Sequence, residues 1–381
     1  MALDLQNTEL GLIVARALGT PSVEILEVSA AALAAGGSQG EGGGLGIHHV
    51  TGVARTKAGL ASWSMIVKAL KGGSELGSDD PGSWNFWKRE VLVNLTGLLE
   101  HLPAGIVAPR CYGVEERPDG ECRIWMEEIQ STSSVWTMDR YTLAGRHLGQ
   151  FNGAYLAGYP LPPAQPWMLS GRTRPWTMFI RPAAESSQQL ADTPLARRWF
   201  GRDGLQRMLQ IWARVEDILQ AFERLPVCYC HHDAYRRNLL DRATNLGGSE
   251  TVAIDWAQTG YGRVGEEIGV TIGVGLSFME VPASQARELD QAVFSGYIDG
   301  LRDTGWRGEV RQARLGCVTN AVILAGLLGN LFYFANAQNR AEIALLEGAV
   351  HRSFDEIIEQ YAEMLPFFIE LGEEALTLLE V

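Results

Sequence analysis

His231, Asp233 and Asn238 stand in the pattern H-x-D-x-x-x-x-N, and Asp255 follows Asn238 by seventeen residues at the end of the apolar run TVAIDW. A histidine, a carboxylate, an amide and a second carboxylate in this order suit phosphoryl transfer. One aspartate positions and deprotonates an attacking hydroxyl; the asparagine and the second aspartate offer hard oxygens to a magnesium ion that bridges nucleotide phosphates. Magnesium keeps several of its waters, so two protein oxygens suffice. Asp233 is therefore the candidate base, Asn238 and Asp255 the candidate metal ligands, and His231 the scaffold of the loop. The stretch also opens CYCHHD, whose residue types are those of a zinc site. Structural zinc takes a second ligand pair, and Cys111, Cys122 and Cys317 are isolated. Cys228 and Cys230 thus read as small buried residues packed behind the loop.

Such a site needs elements that hold the nucleotide. Lys68 lies in SWSMIVKAL (Ser62–Leu70), the third expected strand after SVEILEVSA (Ser22–Ala30) and IHHVTGVAR (Ile47–Arg55). From Trp84 the chain has helical spacing, with Phe86, Val91, Leu92, Leu95, Leu98 and Leu99 apolar. Glu90 on that helix is placed to pair with Lys68 and hold it at the phosphates; Glu100 is the other candidate. Gly36–Gly46, between the first two strands, has seven glycines in eleven residues. Its Gly42, Gly43 and Gly44 are candidates for a phosphate-covering loop, a flexible linker being the other reading. Two more strands, Ile106–Arg117 and Glu121–Ile129, form a hairpin ending at Met126, Glu127 and Ile129, where a hinge offers backbone groups to adenine. The remainder reads mostly helical: Tyr141–Ala157, Gly204–Leu225, and from about Ala283 onward.

These motifs resemble the aminoglycoside phosphotransferase and choline kinase family, the small-molecule branch of the protein-kinase-like fold. HHDAYRRN (His231–Asn238), AIDW (Ala253–Trp256), Val67–Lys68 and WKRE (Trp87–Glu90) carry the resemblance, and the helix AGRHLGQFNGAYL is similar too. The resemblance implies an α+β bilobal fold. Residues 1–130 would form an N-lobe of antiparallel sheet plus helix, and residues 131–381 a mainly helical C-lobe. It implies ATP and magnesium, transfer of the γ-phosphate to a small-molecule hydroxyl, and the roles already assigned to Asp233, Asn238, Asp255, Lys68 and Glu90. The sequence departs from the family at His232, where a glycine is common, and at Tyr235-Arg236-Arg237. Any mark the acceptor left near the candidate base is to be sought there first, with Arg236 and Arg237 facing either phosphate or surface acids. The acid usually found after Asp255 appears as Glu266-Glu267. No insert of activation-loop size is present, which disfavours protein phosphorylation.

A formal charge of −13, from 32 Lys and Arg against 45 Asp and Glu, argues against a nucleic-acid partner. It tilts the acceptor towards cationic compounds such as amino-sugars or choline-like amines, solubility being the other explanation. Trp136, Trp167, Trp176 and Trp306 are candidates to line such a pocket. Five cysteines, an odd number, point to a reducing cytoplasm. The start MALDLQNTEL lacks the basic region of a secretory signal. The run Ala321–Ala337, broken by Gly and Asn, is expected to be a core helix too short for a bilayer. A nucleotide-binding pseudokinase acting as scaffold or sensor is the second function class, and the complete Lys, Asp, Asn, Asp set speaks against it.

Overall fold

Strand β3 (Gly59–Leu70) shows how the sequence builds the first part of the molecule. Side chains alternate along a strand, so Trp63, Met65 and Val67 share one face and are buried with Val50, Trp125, Ile13 and Val14. Lys68 and Leu70 take the other face, where Leu70 packs with Val91, Cys122 and Ile124. The computed structural model describes residues 3, 5, 9–33, 44–73, 77–131, 135–244 and 247–379. Helix α1 (Leu10–Ala17) covers the first face. Strands β1 (Glu24–Leu33) and β2 (Gly44–Thr56) form an antiparallel pair, β2 pairs β3, and α2 (Arg89–Leu95) covers the second face. After β4 (Ile106–Val107), the hairpin of β5 (Cys111–Glu116) and β6 (Cys122–Glu127) completes a five-stranded antiparallel sheet of order β1-β2-β3-β6-β5. Gly42 and Gly43 lie outside the described residues.

The helical part follows, with α3 (Met138–Leu156), strand β7 (Leu169–Ser170), α4 (Thr173–Ser187), α5 (Pro194–Phe200), α6 (Gly204–Ala213) and α7 (Val215–Glu223). Strand β8 (Val227–Cys230) enters the candidate loop, and β9 (Leu239–Ala243), β10 (Ser249–Ala253) and β11 (Gly260–Arg263) follow it. They form two small sheets, β4-β10-β9 and β7-β11-β8. The chain then runs through α8 (Glu266–Ser277), α9 (Ala286–Asp303) and α10 (Val310–Ala321). It continues through a π-helical stretch (Val322–Phe332) into α11 (Tyr333–Ala335), then α12 (Arg340–Val350) and α13 (Phe354–Leu379). This is the expected α+β class.

Helices α3 and α9 touch backbone to backbone. A Cβ added at Gly149 would sit 2.2 Å from the Tyr297 carbonyl oxygen, and one at Gly300 would sit 1.9 Å from that of Arg146. The close approach lets Asn152 of α3 donate to the Tyr229 carbonyl at 3.0 Å while accepting from the Tyr297 hydroxyl at 2.9 Å. Strand β8 is thereby pinned one residue before the loop it delivers.

Three expectations are corrected. The helix expected from Trp84 begins only at Arg89, because the carbonyls of Ser83 and Trp84 turn to the Arg89 guanidinium. Gly204–Leu225 is two helices, broken at Arg214, whose apolar residues continue one buried stripe. The run from Ala321 belongs to a helix, Val310–Ala335, that is long and apolar enough to cross a membrane, yet 89% of its most apolar window is buried inside the protein. Asn330 within it is satisfied by the Trp199 indole at 3.1 Å and the Gly326 carbonyl at 2.8 Å, so it folds as a core helix.

Candidate active site

His231 is fully buried. Its Nε2 lies 2.9 Å from the Ile254 carbonyl oxygen, and its Nδ1 is 3.2 Å from the Asp233 backbone N–H. The second contact requires Nδ1 to accept, so Nε2 carries the proton and donates to Ile254. The ring also meets Trp256 edge-on, with centroids 4.6 Å apart. His231 thus clips the loop to the segment that ends in Asp255.

His232 is also fully buried and adopts φ 66°, the left-handed region. A glycine occupies that region without steric cost, which explains why a glycine is common at this position; His232 holds the same angle with a side chain. The imidazole Nε2 lies 3.1 Å from the Tyr261 carbonyl oxygen, and Nδ1 lies 3.7 Å from Glu266. With no exposed surface it cannot touch an acceptor, contrary to expectation. Arg237 instead binds Glu280 at 2.8 Å and the Ala349 carbonyl at 2.9 Å, and Arg236 lies 3.9 Å from Glu280. These arginines face a protein acid.

The buried pair Glu266-Glu267 holds the loop from below. Glu267 accepts the backbone N–H groups of His231 and His232 at 2.7 and 2.9 Å. Burial pushes its carboxyl up to about 7 in spite of those two bonds. Burial pulls His231 down to about 4 against the nearby charge of Asp233. The two groups have opposite linkage. His231, depressed on folding, contributes stability that is present above about pH 6.5 and lost as pH falls towards 4. Glu267, raised on folding, favours the folded state below its unfolded value and loses that contribution as pH rises towards 7. Between pH 5 and 6.5 they largely cancel. Glu267→Gln should therefore make the unfolding free energy climb more steeply with pH in this window, by up to about 1.4 kcal/mol per pH unit. Urea titrations at pH 5.0, 5.8 and 6.5 measure it; an unchanged slope would refute the opposition.

Both Asp233 oxygens are engaged. Oδ1 lies 2.9 Å from Arg172 Nη1, and Oδ2 accepts from Asn238 Nδ2 at 2.8 Å. The Asn238 amide nitrogen also donates to the Asp233 carbonyl at 3.0 Å, which leaves its carbonyl oxygen as the atom it can offer a cation. Across the cleft, Lys68 Nζ lies 2.6 Å from Glu90 and 2.8 Å from Asp255. The Trp256 backbone N–H also donates to Glu90. Burial lowers Lys68, but Asp255 and Glu90 outweigh it, so the ammonium is held above its ordinary range. Burial raises Asp255, but Lys68 more than reverses this. Asp255 itself adopts φ 61°, which aims its carboxylate back at β3.

Met126 and Glu127 end β6, opposite Ile66 and Met65. The Glu127 N–H already donates to the Arg110 carbonyl at 2.9 Å, so it cannot serve adenine; Ile129 lies just beyond the strand. Gly44 starts β2 opposite Leu70. Cys228 and Cys230 are buried, their sulfurs 3.7 Å apart, in the core behind the loop. Among the singled-out tryptophans, Trp167 and Trp306 are buried in the core and Trp136 receives Arg140 at 4.4 Å. Trp176 alone of these four reaches the site, under Arg172 at 5.7 Å. A cavity of about 800 Å³ lies elsewhere, on the α1 face of the sheet beside Ile13, Arg16, His48 and Arg123.

Two residues were missed by sequence reasoning. Arg89, fully buried, donates to the carbonyls of Trp167 (2.6 Å), Trp84 (3.0 Å), Ala257 (2.9 Å) and Ser83 (2.5 Å). Burial, with the charge of Arg172, pulls it down to about 10. Its place beside Glu90 was the available signal. Arg172 reaches Asp233 from 61 residues upstream, and no spacing rule finds such a contact.

An antiparallel sheet with a helix on each face, a lysine bridged to a glutamate on the second of them, and a helical remainder carrying H-x-D-x-x-x-x-N make a kinase-like architecture. Residues 141–307 match the model of the phosphotransferase enzyme family, APH, in agreement with the resemblance read from the candidate loop. A microcompartment-associated aminopropanol kinase shares the fold, at 13% identity over 92% of this chain and 93% of its own, with a TM-score of 0.50. An aminoglycoside phosphotransferase from Alicyclobacillus acidocaldarius subsp. acidocaldarius DSM 446 does so with the same identity, coverage and score. No curated protein sequence matches the chain. The family match supports a small-molecule phosphotransferase.

Proposed function

We propose that the protein is an ATP- and magnesium-dependent kinase of the cytoplasm that moves the γ-phosphate of ATP to a hydroxyl of a small molecule. The observation that carries this reading is the junction of Lys68 with Glu90 and Asp255, at 2.6 and 2.8 Å. It joins a lysine of the sheet to the carboxylate that follows the loop.

In this reading residues 1–130 hold the nucleotide and residues 131–381 supply the base and the acceptor site. Lys68, oriented by Glu90, takes the phosphates, Gly42–Gly44 cover them, and Ile129 offers the adenine contact. Asp233 accepts the acceptor's proton and is held in place by Asn238. The donor set fits magnesium: a carboxylate and an amide oxygen are hard ligands, and two of them suffice for an ion that keeps phosphate and water. Among the described residues no group of three or more His, Cys, Asp or Glu could hold a metal on its own, as suits an ion arriving with its nucleotide. When bound, magnesium would neutralise charge developing on the phosphates.

The test is ADP release from ATP and magnesium across amino-sugars, choline-like amines, amino alcohols, macrolides and neutral sugars, with Asp233→Asn as the blank. At least one acceptor should give turnover that the variant lacks. ATP binding without ADP release from any of them would leave the nucleotide-binding scaffold in its place.

A further inference from the structure

The charge at the candidate base is supplied from outside the loop. Arg236 and Arg237, the loop's own cations, lie at Glu280. Arg172, between β7 and α4, instead places Nη1 2.9 Å from Asp233 Oδ1 and donates to the His232 carbonyl as well. Its seat is built. Gly171 turns the chain at φ 104°. Glu266, fully buried, accepts the Arg172 N–H at 3.4 Å, the Thr173 hydroxyl at 2.9 Å and the Arg263 N–H at 2.9 Å. Trp176 lies under the guanidinium, with Trp84 against it at 4.7 Å. The side chain is 11% exposed, and Nε is buried without a hydrogen-bond partner among the described residues.

A guanidinium has five N–H donors in a rigid fork, and leaving one buried and unspent is costly. The contacts with Asp233 and the His232 carbonyl both use Nη1, so the reaction would bring an acceptor for the rest of the fork. A hydroxyl bonded to Asp233 stands about 2.7 Å from the carboxylate, and the phosphorus it attacks lies roughly 3–3.5 Å further on. The oxygens of that phosphoryl group therefore pass within reach of a fork anchored on Asp233. We propose that Arg172 is a further catalytic residue, which clamps the transferring phosphoryl group while its fork stays on Asp233. This rests on the kinase reading above. The acceptor oxygen forms the new bond to phosphorus, the bond to the bridging oxygen breaks with its electron pair leaving on ADP, and the hydroxyl proton goes to Asp233. Arg172 keeps its charge throughout and lowers the cost of charge spread over the phosphoryl oxygens.

A carboxylate or phosphate on the acceptor could use the same fork, so the test removes the acceptor. With ATP, magnesium and water as sole acceptor, Arg172→Met in the full chain should lower kcat for ADP release on the order of 10²- to 10³-fold, with KM for ATP within about threefold. Arg172→Lys, which keeps a charge and guards against a folding defect, should recover part of the loss. A second readout needs no turnover: adding aluminium fluoride, a planar mimic of the phosphoryl group, to magnesium-ADP should raise the melting temperature of the parent further. Arg172→Met should lose that increment and keep the response to magnesium-ADP alone. The proposal is overturned if Arg172→Met keeps both the increment and kcat within about threefold of the parent. It is also overturned if the defect appears only with acidic acceptors, which would make Arg172 an acceptor anchor. Parent turnover abolished by Asp233→Asn in those cases shows the kinase reading intact; no turnover by the parent with any acceptor ends both.

Discussion

Asp255→Asn is expected to reduce ADP release by at least about 10²- to 10³-fold while leaving the fold in place. Asparagine is the informative replacement, because residue 255 has φ 61° and asparagine tolerates the left-handed region better than most residues. Alanine would mix backbone strain into the result. The loss has two sources. A carboxylate becomes a neutral amide where a divalent cation would sit, and Lys68 loses the partner at 2.8 Å, keeping only Glu90. Phosphoryl transfer is mostly positioning and charge neutralisation, so both removals fall on the chemical step. The measurement is steady-state ADP release with the most active acceptor, beside a melting curve. Activity within tenfold of the parent would sink the assignment of Asp255.

The second large effect falls on stability. Arg89→Met should lower the unfolding free energy by at least about 3 kcal/mol, since methionine fills similar space but leaves four backbone carbonyls without their donor. Those carbonyls belong to Ser83 and Trp84 before α2, Trp167 before β7, and Ala257 after Asp255. Relief of the repulsion with Arg172 offsets a small part. Arg89→Lys should rescue little, because a compact ammonium cannot reach carbonyls spread around a planar fork. Urea unfolding decides it. A methionine variant within about 1 kcal/mol of the parent would show that water takes over those carbonyls.

Much of this could be read from local pattern. The period of two in β3 sets Lys68 on the face of α2, and H-x-D-x-x-x-x-N is short enough that one loop carries all three side chains. The strands of the five-stranded sheet were legible within a few residues, except that the strand expected over Ile106–Arg117 divides into β4, which joins another sheet, and β5. What escaped depends on distance along the chain. Arg89 meets Trp167 and Ala257, and Arg172 meets Asp233, across dozens of residues. The boundary between α6 and α7 was hidden because both helices present one apolar stripe. His232 misled for a related reason. It sits in the loop but points into the core, and only the backbone angle at that residue decides which way it turns.

Lys68 has a consequence for how ligands would enter. Its ammonium is shared by Glu90 and Asp255, so a phosphate that claims the lysine must draw it from Asp255. A cation on Asp255 makes that withdrawal easier by replacing the charge the carboxylate gives up. Nucleotide and divalent cation would then each tighten the other's binding by the same factor, as thermodynamic reciprocity demands. The shared lysine would thereby make the site a detector of the two arriving together.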